Sequence, residues 1–178
     1  MAHTAPVPPV ITLPNAISLS RVGLALGFVA AEGSSVRLAL IAVASLTDFL
    51  DGWLARRQRV TSRFGALLDP VADRLFMLSV IVTYVADGAL APWEGVALFF
   101  RDVMSVIGWF VARSVSWLRP ITFRARPVGK AVTVGQLVTV VAVLAAPGWV
   151  RPLVLLVGAL GVVATADYTL MLWRERTR

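Results

Sequence analysis

Asp48-Phe-Leu-Asp51-Gly52-Trp-Leu-Ala55-Arg56 closes one apolar segment of the chain, and Gly65-Ala-Leu-Leu-Asp69-Pro-Val-Ala-Asp73 opens the next. The aspartates are three apart in the first pair and four apart in the second, so in a helix each pair lies on one face. Ionised aspartate is costly inside a bilayer, and intramembrane carboxylates usually mark functional sites. Four facing negative charges need positive charge between them, and carboxylate oxygens are the ligands that Mg²⁺ and Mn²⁺ prefer. The stretch therefore predicts a divalent-metal site.

The composition indicates an all-α integral membrane protein. Of the 178 residues, 58% are hydrophobic and 15% are charged, a balance typical of polytopic membrane chains. Apolar segments separated by Gly, Pro and Ser predict about six transmembrane helices, at 15–32, 36–57, 64–86, 93–117, 128–146 and 150–173. We interpret residues 1–14 as an N-terminal tail or interfacial segment and 15–178 as one transmembrane domain. The single histidine, His3, lies in this tail and receives no role.

Basic residues predict how the helices are oriented. Arginines crowd the 57–63 segment, the 113–130 segment and the C-terminus, whereas the opposite side carries Arg37 and Arg151. The positive-inside rule then places both termini in the cytoplasm, in a multi-pass protein that we assign to a bacterial inner membrane. All four aspartates would lie at similar depth in a polar active-site cavity open to the cytoplasm. The net charge of +7 fits topology and anionic lipid or phosphate, and no nucleic-acid partner is predicted.

The complete string, D-x2-D-G-x2-A-R-x8-G-x3-D-x3-D, resembles the signature of the CDP-alcohol phosphatidyltransferases, and all eight fixed positions are filled. The resemblance implies transfer of a phosphatidyl group from CDP-diacylglycerol to an alcohol, with release of CMP. It implies that two Mg²⁺ or Mn²⁺ ions are held by Asp48, Asp51, Asp69 and Asp73, and that Asp73 is the general base. The expected cradle for the cytidine diphosphate is formed by Asp48, Gly52, Ala55, Arg56 and Gly65. The family also implies a homodimer in the lipid bilayer.

Three further segments resemble the branch of the family whose acceptors contain glycerol, the phosphatidylglycerophosphate synthases and eukaryotic-type cardiolipin synthases. They are Leu13-Pro-Asn-Ala-Ile-Ser-Leu-Ser-Arg21, Phe64-Gly-Ala-Leu-Leu-Asp-Pro-Val-Ala-Asp-Arg74 and Gly129-Lys-Ala-Val-Thr-Val-Gly-Gln136. Arg101-Asp102-Val-Met resembles cardiolipin synthase, whose acceptor is phosphatidylglycerol. Trp109 and Val132 stand where the phosphatidylglycerophosphate enzymes tend to have basic residues. We favour phosphatidylglycerol over glycerol 3-phosphate, with another alcohol still open.

Four residues outside the signature are candidates for binding the acceptor: Arg101, Asp102, Arg113 and Lys130. Arg101 and Asp102 lie deep in the fourth predicted helix, where they could equally form a buried ion pair. Arg113 and Lys130 could equally be basic residues that extend to the membrane surface. A transporter, an intramembrane aspartyl protease and a membrane scaffold are the competing classes. The sequence lacks the inverted repeats typical of the first and the Gly-x-Gly-Asp element of the second, and a scaffold has no need of this spacing.

Overall fold

The computed structural model describes the backbone of residues 13–58, 65–114 and 127–176, and the side chains of 19–50, 71–108, 110–111, 114 and 127–171. Six α-helices account for nearly all of this backbone, and the described residues contain no strand. The helices are α1 Leu13–Ala30, α2 Ser34–Gln58, α3 Gly65–Ala86, α4 Pro92–Ser114, α5 Pro127–Ala145 and α6 Val150–Arg176, with a 3₁₀ turn at Pro147–Trp149. The all-α prediction is confirmed, and the helix boundaries agree with the predicted ones to within three residues.

Among the described residues, two helical stretches are long and apolar enough to cross a membrane, Pro127–Ala145 and Pro147–Met171. A shorter apolar stretch, Leu19–Ala30, lies in α1. Large apolar side chains also point outward on the other helices, such as Leu26 on α1, Phe49 on α2 and Val96 on α4. Exposed apolar surface of this extent is typical of a chain that contacts lipid. The structure therefore suggests a membrane protein, and the count of six spans stays a prediction.

Local chemistry sets the boundary between α3 and α4. After α3 ends at Ala86, Gly88 adopts a φ of 72°, a conformation that glycine reaches without steric cost. This turn lets the N–H groups of Ala89 and Leu90 both donate to the carbonyl of Tyr84. α4 then starts with Pro92, whose fixed φ suits a first helical position. The carboxylate of Glu94 accepts from the N–H of Ala91 at 2.9 Å, which is half of a capping box.

The chain divides into two compact units, Met1–Thr83 and Tyr84–Arg178. In the first unit α1 packs against α2, and α1 also meets α3. The rings of Phe28 and Phe76 contact each other edge to face, with centroids 6.3 Å apart. Among the described side chains of α1, the buried ones are Arg21, Ala25 and Phe28, at the four- and three-residue spacing of one helix face. A charged residue therefore occupies the core-facing stripe of α1.

In the second unit α4 and α5 both pack against α6. Small and β-branched residues fill the contacts, including the buried Val140, Val154 and Val157. A Cβ built on Gly135 would lie 2.7 Å from Cγ2 of Val157, so glycine is needed for α5 to approach α6 this closely. The hydroxyl of Tyr84 donates to the carbonyl of Val140 across this unit at 3.1 Å. These contacts give the second unit its own core.

Candidate active site

Two of the four signature aspartates have described side chains, and they converge. Asp48 lies on the same face of α2 as the buried Ile41 and Ala44, because the three residues are at helical spacing. Asp73 directly follows the buried Ala72 in the sequence of α3. Their carboxylates both reach the guanidinium of Arg21. The Nη2 of Arg21 lies 3.4 Å from Oδ1 of Asp48, and its Nη1 donates to Oδ1 of Asp73. Helices α1, α2 and α3 thus meet at one charged cluster.

Burial differs sharply across this cluster. Arg21 is 1% exposed, whereas the side chains of Asp48 and Asp73 are 61% and 43% exposed. The guanidinium therefore lies on the core side of the two carboxylates, which keep open surface on their other side. Arg21 contacts Oδ1 of each carboxylate, and each carboxylate has a second oxygen that can accept. The arrangement can bind a cation or a phosphate-bound metal from the exposed side.

The remaining signature residues lie where the backbone alone is described. Asp51, Gly52, Ala55 and Arg56 belong to α2, and Gly65 and Asp69 belong to α3. Because each helix runs continuously through its pair of aspartates, the three- and four-residue spacings are helical spacings, as predicted. Among the side chains that the structure describes, no group of three or more His, Cys, Asp or Glu residues could hold a metal. The four-aspartate ligand set stays a prediction, since Asp51 and Asp69 are not among those side chains.

The donor set of Asp48 and Asp73 fits a divalent cation. Carboxylate oxygens are hard ligands suited to Mg²⁺ and Mn²⁺. In the structure the two carboxylates from α2 and α3 already share one positive group, the Arg21 guanidinium. Both carboxylates therefore lie within contact distance of one cationic group. The residues present are compatible with metal bound on the exposed side of the cluster.

A second polar network lies in the second unit, around the predicted acceptor residues. Arg101 contacts its neighbour Asp102 at 3.3 Å. Asp102 is buried and accepts from the side-chain amide of Gln136 at 2.7 Å, and the same amide nitrogen donates to the carbonyl of Leu98 at 2.7 Å. Arg101 and Asp102 therefore form the ion pair that is one of their two predicted roles. Their predicted contact with an acceptor is not tested by these distances.

The Gly129–Gln136 segment, which resembles the glycerol branch of the family, contributes to this network. A Cβ on Gly129 would lie 2.6 Å from Nη2 of Arg101, so the absence of a side chain makes room for the guanidinium. The hydroxyl of Thr133 donates to the carbonyl of Gly129 at 3.3 Å. Lys130 is exposed in the first turn of α5, and the side chain of Arg113 lies outside the described ones. Gly129 therefore leaves space for the guanidinium of Arg101, and Gln136 donates a hydrogen bond to Asp102.

Arg21 belongs to the Leu13–Arg21 segment, but the sequence pattern predicts no role for it. Two signals could have found it. It is a charged residue at the start of an apolar run, and it shares a helix face with Ala25 and Phe28, which places a cation among core residues. The sequence does not show which acids it meets, because Asp73 is 52 positions away. The roles of Gly129 and Gln136 were missed for the same reason.

Comparison with known proteins decides the family. The sequence profile of the family described as CDP-alcohol phosphatidyltransferase matches residues 11–168. The chain belongs to this family. All eight fixed residues of the resemblance lie inside the matched range, as do Arg21 and the Arg101–Gln136 network.

Curated relatives of this CDP-alcohol phosphatidyltransferase carry two kinds of name. The chain is 36% identical over 155 residues to a human cardiolipin synthase (CMP-forming), an alignment that covers 76% of the chain and 51% of the relative. It is 34% identical over 107 residues to a Streptomyces coelicolor protein of the same name, covering 55% and 50%. An Arabidopsis thaliana CDP-diacylglycerol–glycerol-3-phosphate 3-phosphatidyltransferase 2 is 32% identical over 124 residues, covering 57% and 53%. The chain thus spans about half the length of these relatives.

Proposed function

We propose that this protein transfers a phosphatidyl group from CDP-diacylglycerol to the hydroxyl of phosphatidylglycerol, so that cardiolipin forms and CMP leaves. The observation that carries the proposal is the convergence of Asp48 and Asp73 at one cluster between α2 and α3. These are the first and last aspartates of the signature. Family membership and the cardiolipin synthase names of the human and Streptomyces relatives support the reaction class.

The proposed residue roles follow the chemistry of phosphoryl transfer. Asp73 accepts the proton of the acceptor hydroxyl, whose oxygen forms a bond to the phosphorus that carries diacylglycerol. The bond between that phosphorus and the oxygen bridging to the CMP phosphate breaks, and CMP leaves with the bond's electrons. Bound Mg²⁺ or Mn²⁺, held by Asp48, Asp51, Asp69 and Asp73, would neutralise the diphosphate and stabilise the leaving phosphate. Arg56 donates paired hydrogen bonds to phosphate, and Gly52, Ala55 and Gly65 leave space for the nucleotide.

Phosphatidylglycerol is the preferred acceptor because the chain offers little additional positive charge for a dianion. Val132, at a position where the glycerol 3-phosphate enzymes tend to have lysine, is fully buried. A charged side chain there would lose its hydration. Arg101 is partly neutralised by Asp102 at 3.3 Å, which suits an acceptor with one phosphodiester charge. We propose that Arg101, Asp102, Arg113 and Lys130 contact this acceptor.

Glycerol 3-phosphate is the second candidate acceptor. The similarity to the Arabidopsis enzyme named for that substrate favours it. In either case we propose a homodimer in a bacterial inner membrane with both termini in the cytoplasm, on the basis of the family resemblance and the distribution of basic residues.

An acceptor screen with purified protein tests the proposal. The protein in detergent–lipid micelles receives CDP-diacylglycerol and Mg²⁺ or Mn²⁺, with phosphatidylglycerol in one arm and glycerol 3-phosphate in the other. We expect metal-dependent CMP release and cardiolipin, identified by mass spectrometry, in the first arm. Asp69→Asn is the matched inactive control, because it removes one predicted ligand. Phosphatidylglycerophosphate in the second arm alone would contradict the acceptor assignment, and CMP release that persists in Asp69→Asn would contradict the site.

A further inference from the structure

Arg21 is the largest side chain in the described residues that is almost fully buried, and it is charged. Burying an unpaired guanidinium is strongly unfavourable, so a buried arginine needs acidic partners with good geometry. The structure supplies two acidic partners, Asp48 and Asp73, on two different helices. The rigid, planar guanidinium of arginine can pair with two acids at once, because its separate nitrogens can each contact a different carboxylate. Here Nη2 faces Asp48 and Nη1 faces Asp73.

We propose that Arg21 is a positioning residue for the metal-binding carboxylates. It holds one oxygen of Asp48 and one of Asp73 from the core side and presents the rest of each carboxylate to the exposed side. This inference deepens the proposed function and rests on it for the identity of the metal-facing acids. Groups that orient metal ligands from behind typically change metal affinity or activity by about 10- to 100-fold when they are removed.

The positive charge of Arg21 also offsets the repulsion between the two carboxylates that it contacts. With it, the three charged groups together carry a net charge of −1, and the two carboxylates stay gathered at one point. A metal ion then encounters ligands whose positions are already fixed, so the ordering cost of binding is lower. An arginine that competed with metal would have the opposite effect.

Mn²⁺ binding to the full-length protein without substrate tests the inference, with electron paramagnetic resonance as the readout. We expect Arg21→Gln to raise the Kd for Mn²⁺ by about 10- to 100-fold. Arg21→Lys keeps the charge but loses the two-nitrogen geometry, so it should recover part of the affinity. Arg37→Gln is the matched control. Arg37 also joins α1 to α2, through a 2.9 Å hydrogen bond to the carbonyl of Ala31 and a contact over the ring of Phe28, without touching either aspartate in the contacts described.

Metal rescue separates positioning from a merely structural role. At saturating Mn²⁺, CMP release by Arg21→Gln should return towards the wild-type rate, whereas a variant that had lost its fold would stay inactive at any metal concentration. The idea is overturned if Arg21→Gln binds Mn²⁺ as tightly as wild type or more tightly, or if wild type binds none. If Arg21→Gln fails to fold, an Mn²⁺ affinity of Arg21→Lys that equals that of wild type also overturns the positioning role.

The two proposals can fail separately. Weakened Mn²⁺ binding in Arg21→Gln, together with a wild-type protein that releases no CMP, would support the positioning role and reject the phosphatidyl transfer. Normal CMP release by wild type, together with unchanged Mn²⁺ affinity in both Arg21 variants, would support the phosphatidyl transfer and reject the positioning role.

Discussion

At the scale of single residues, Asp73 has two features that suit the general-base role proposed for it. One oxygen of its carboxylate accepts from the buried Arg21, and the side chain as a whole is 43% exposed. A general base must lie within hydrogen-bond reach of the proton it removes, and access is the first requirement. Asp48 is more exposed and shares the same arginine, which fits a ligand held at the rim of the cluster.

Replacing Asp73 by asparagine tests the proton-transfer role. The amide side chain keeps the shape of the carboxylate but cannot accept the proton, so we expect Asp73→Asn to lower turnover by about 10²- to 10⁴-fold, while CDP-diacylglycerol still binds. CMP release and nucleotide binding are measured on the same preparation. Asp87→Asn is the control, since Asp87 is exposed in the turn after α3 and lies outside the signature. Turnover within about tenfold of wild type in Asp73→Asn would remove Asp73 from this role.

At the scale of the helices, close packing in the second unit depends on small residues at particular positions. A Cβ at position 135 would lie 2.7 Å from Cγ2 of Val157. Val157 is 1% exposed and β-branched, so it has no alternative rotamer at low cost. We expect Gly135→Ala to destabilise the protein by about 1–3 kcal/mol through overpacking, seen as a lower apparent Tm in detergent.

Gly158→Ala is the matched control for this helix contact. Its Cβ would lie 3.7 Å from the Cβ of Ala97, which is an ordinary van der Waals distance. Alanine also has the higher intrinsic helix propensity, by up to about 1 kcal/mol. Gly158→Ala should therefore match or exceed the Tm of the wild type. Equal Tm values for the two variants would show that α5 and α6 separate easily and that Gly135 is not required.

The helices could be predicted from the sequence, but the contacts that make the site could not. Apolar runs bounded by Gly and Pro predicted all six helices, since an apolar segment that crosses lipid satisfies its backbone hydrogen bonds internally as a helix. Local signals explain the small differences, such as α5 beginning at Pro127 because proline suits the first turn. The Arg21–Asp73 and Gln136–Asp102 contacts join residues 52 and 34 positions apart. No periodicity encodes such pairs, because they depend on how separate helices pack.

At the scale of the whole molecule, each of the two units has its own core and its own polar network around a buried charged side chain. Arg21 with Asp48 and Asp73 belongs to the first unit, and Asp102 with Gln136 to the second. Buried charge is expensive in an apolar chain and persists where it is paired. Only 15% of the 178 residues are charged, yet both networks are built from charged residues and their hydrogen-bond partners. The membrane topology that would place the first network near the cytoplasm stays a prediction.

Cysteine labelling tests that topology directly, because the chain contains no cysteine and single substitutions have no background. Six spans with cytoplasmic termini place Ser35 and Gly148 outside and Ser62 inside. We expect a membrane-impermeant maleimide to label S35C and G148C in right-side-out vesicles, and S62C in inverted vesicles. A chain with spans at 127–145 and 147–171 alone would put positions 35 and 62 on the same side. Identical labelling of S35C and S62C would therefore reject the six-span topology, and with it a cavity that opens to the cytoplasm between α2 and α3.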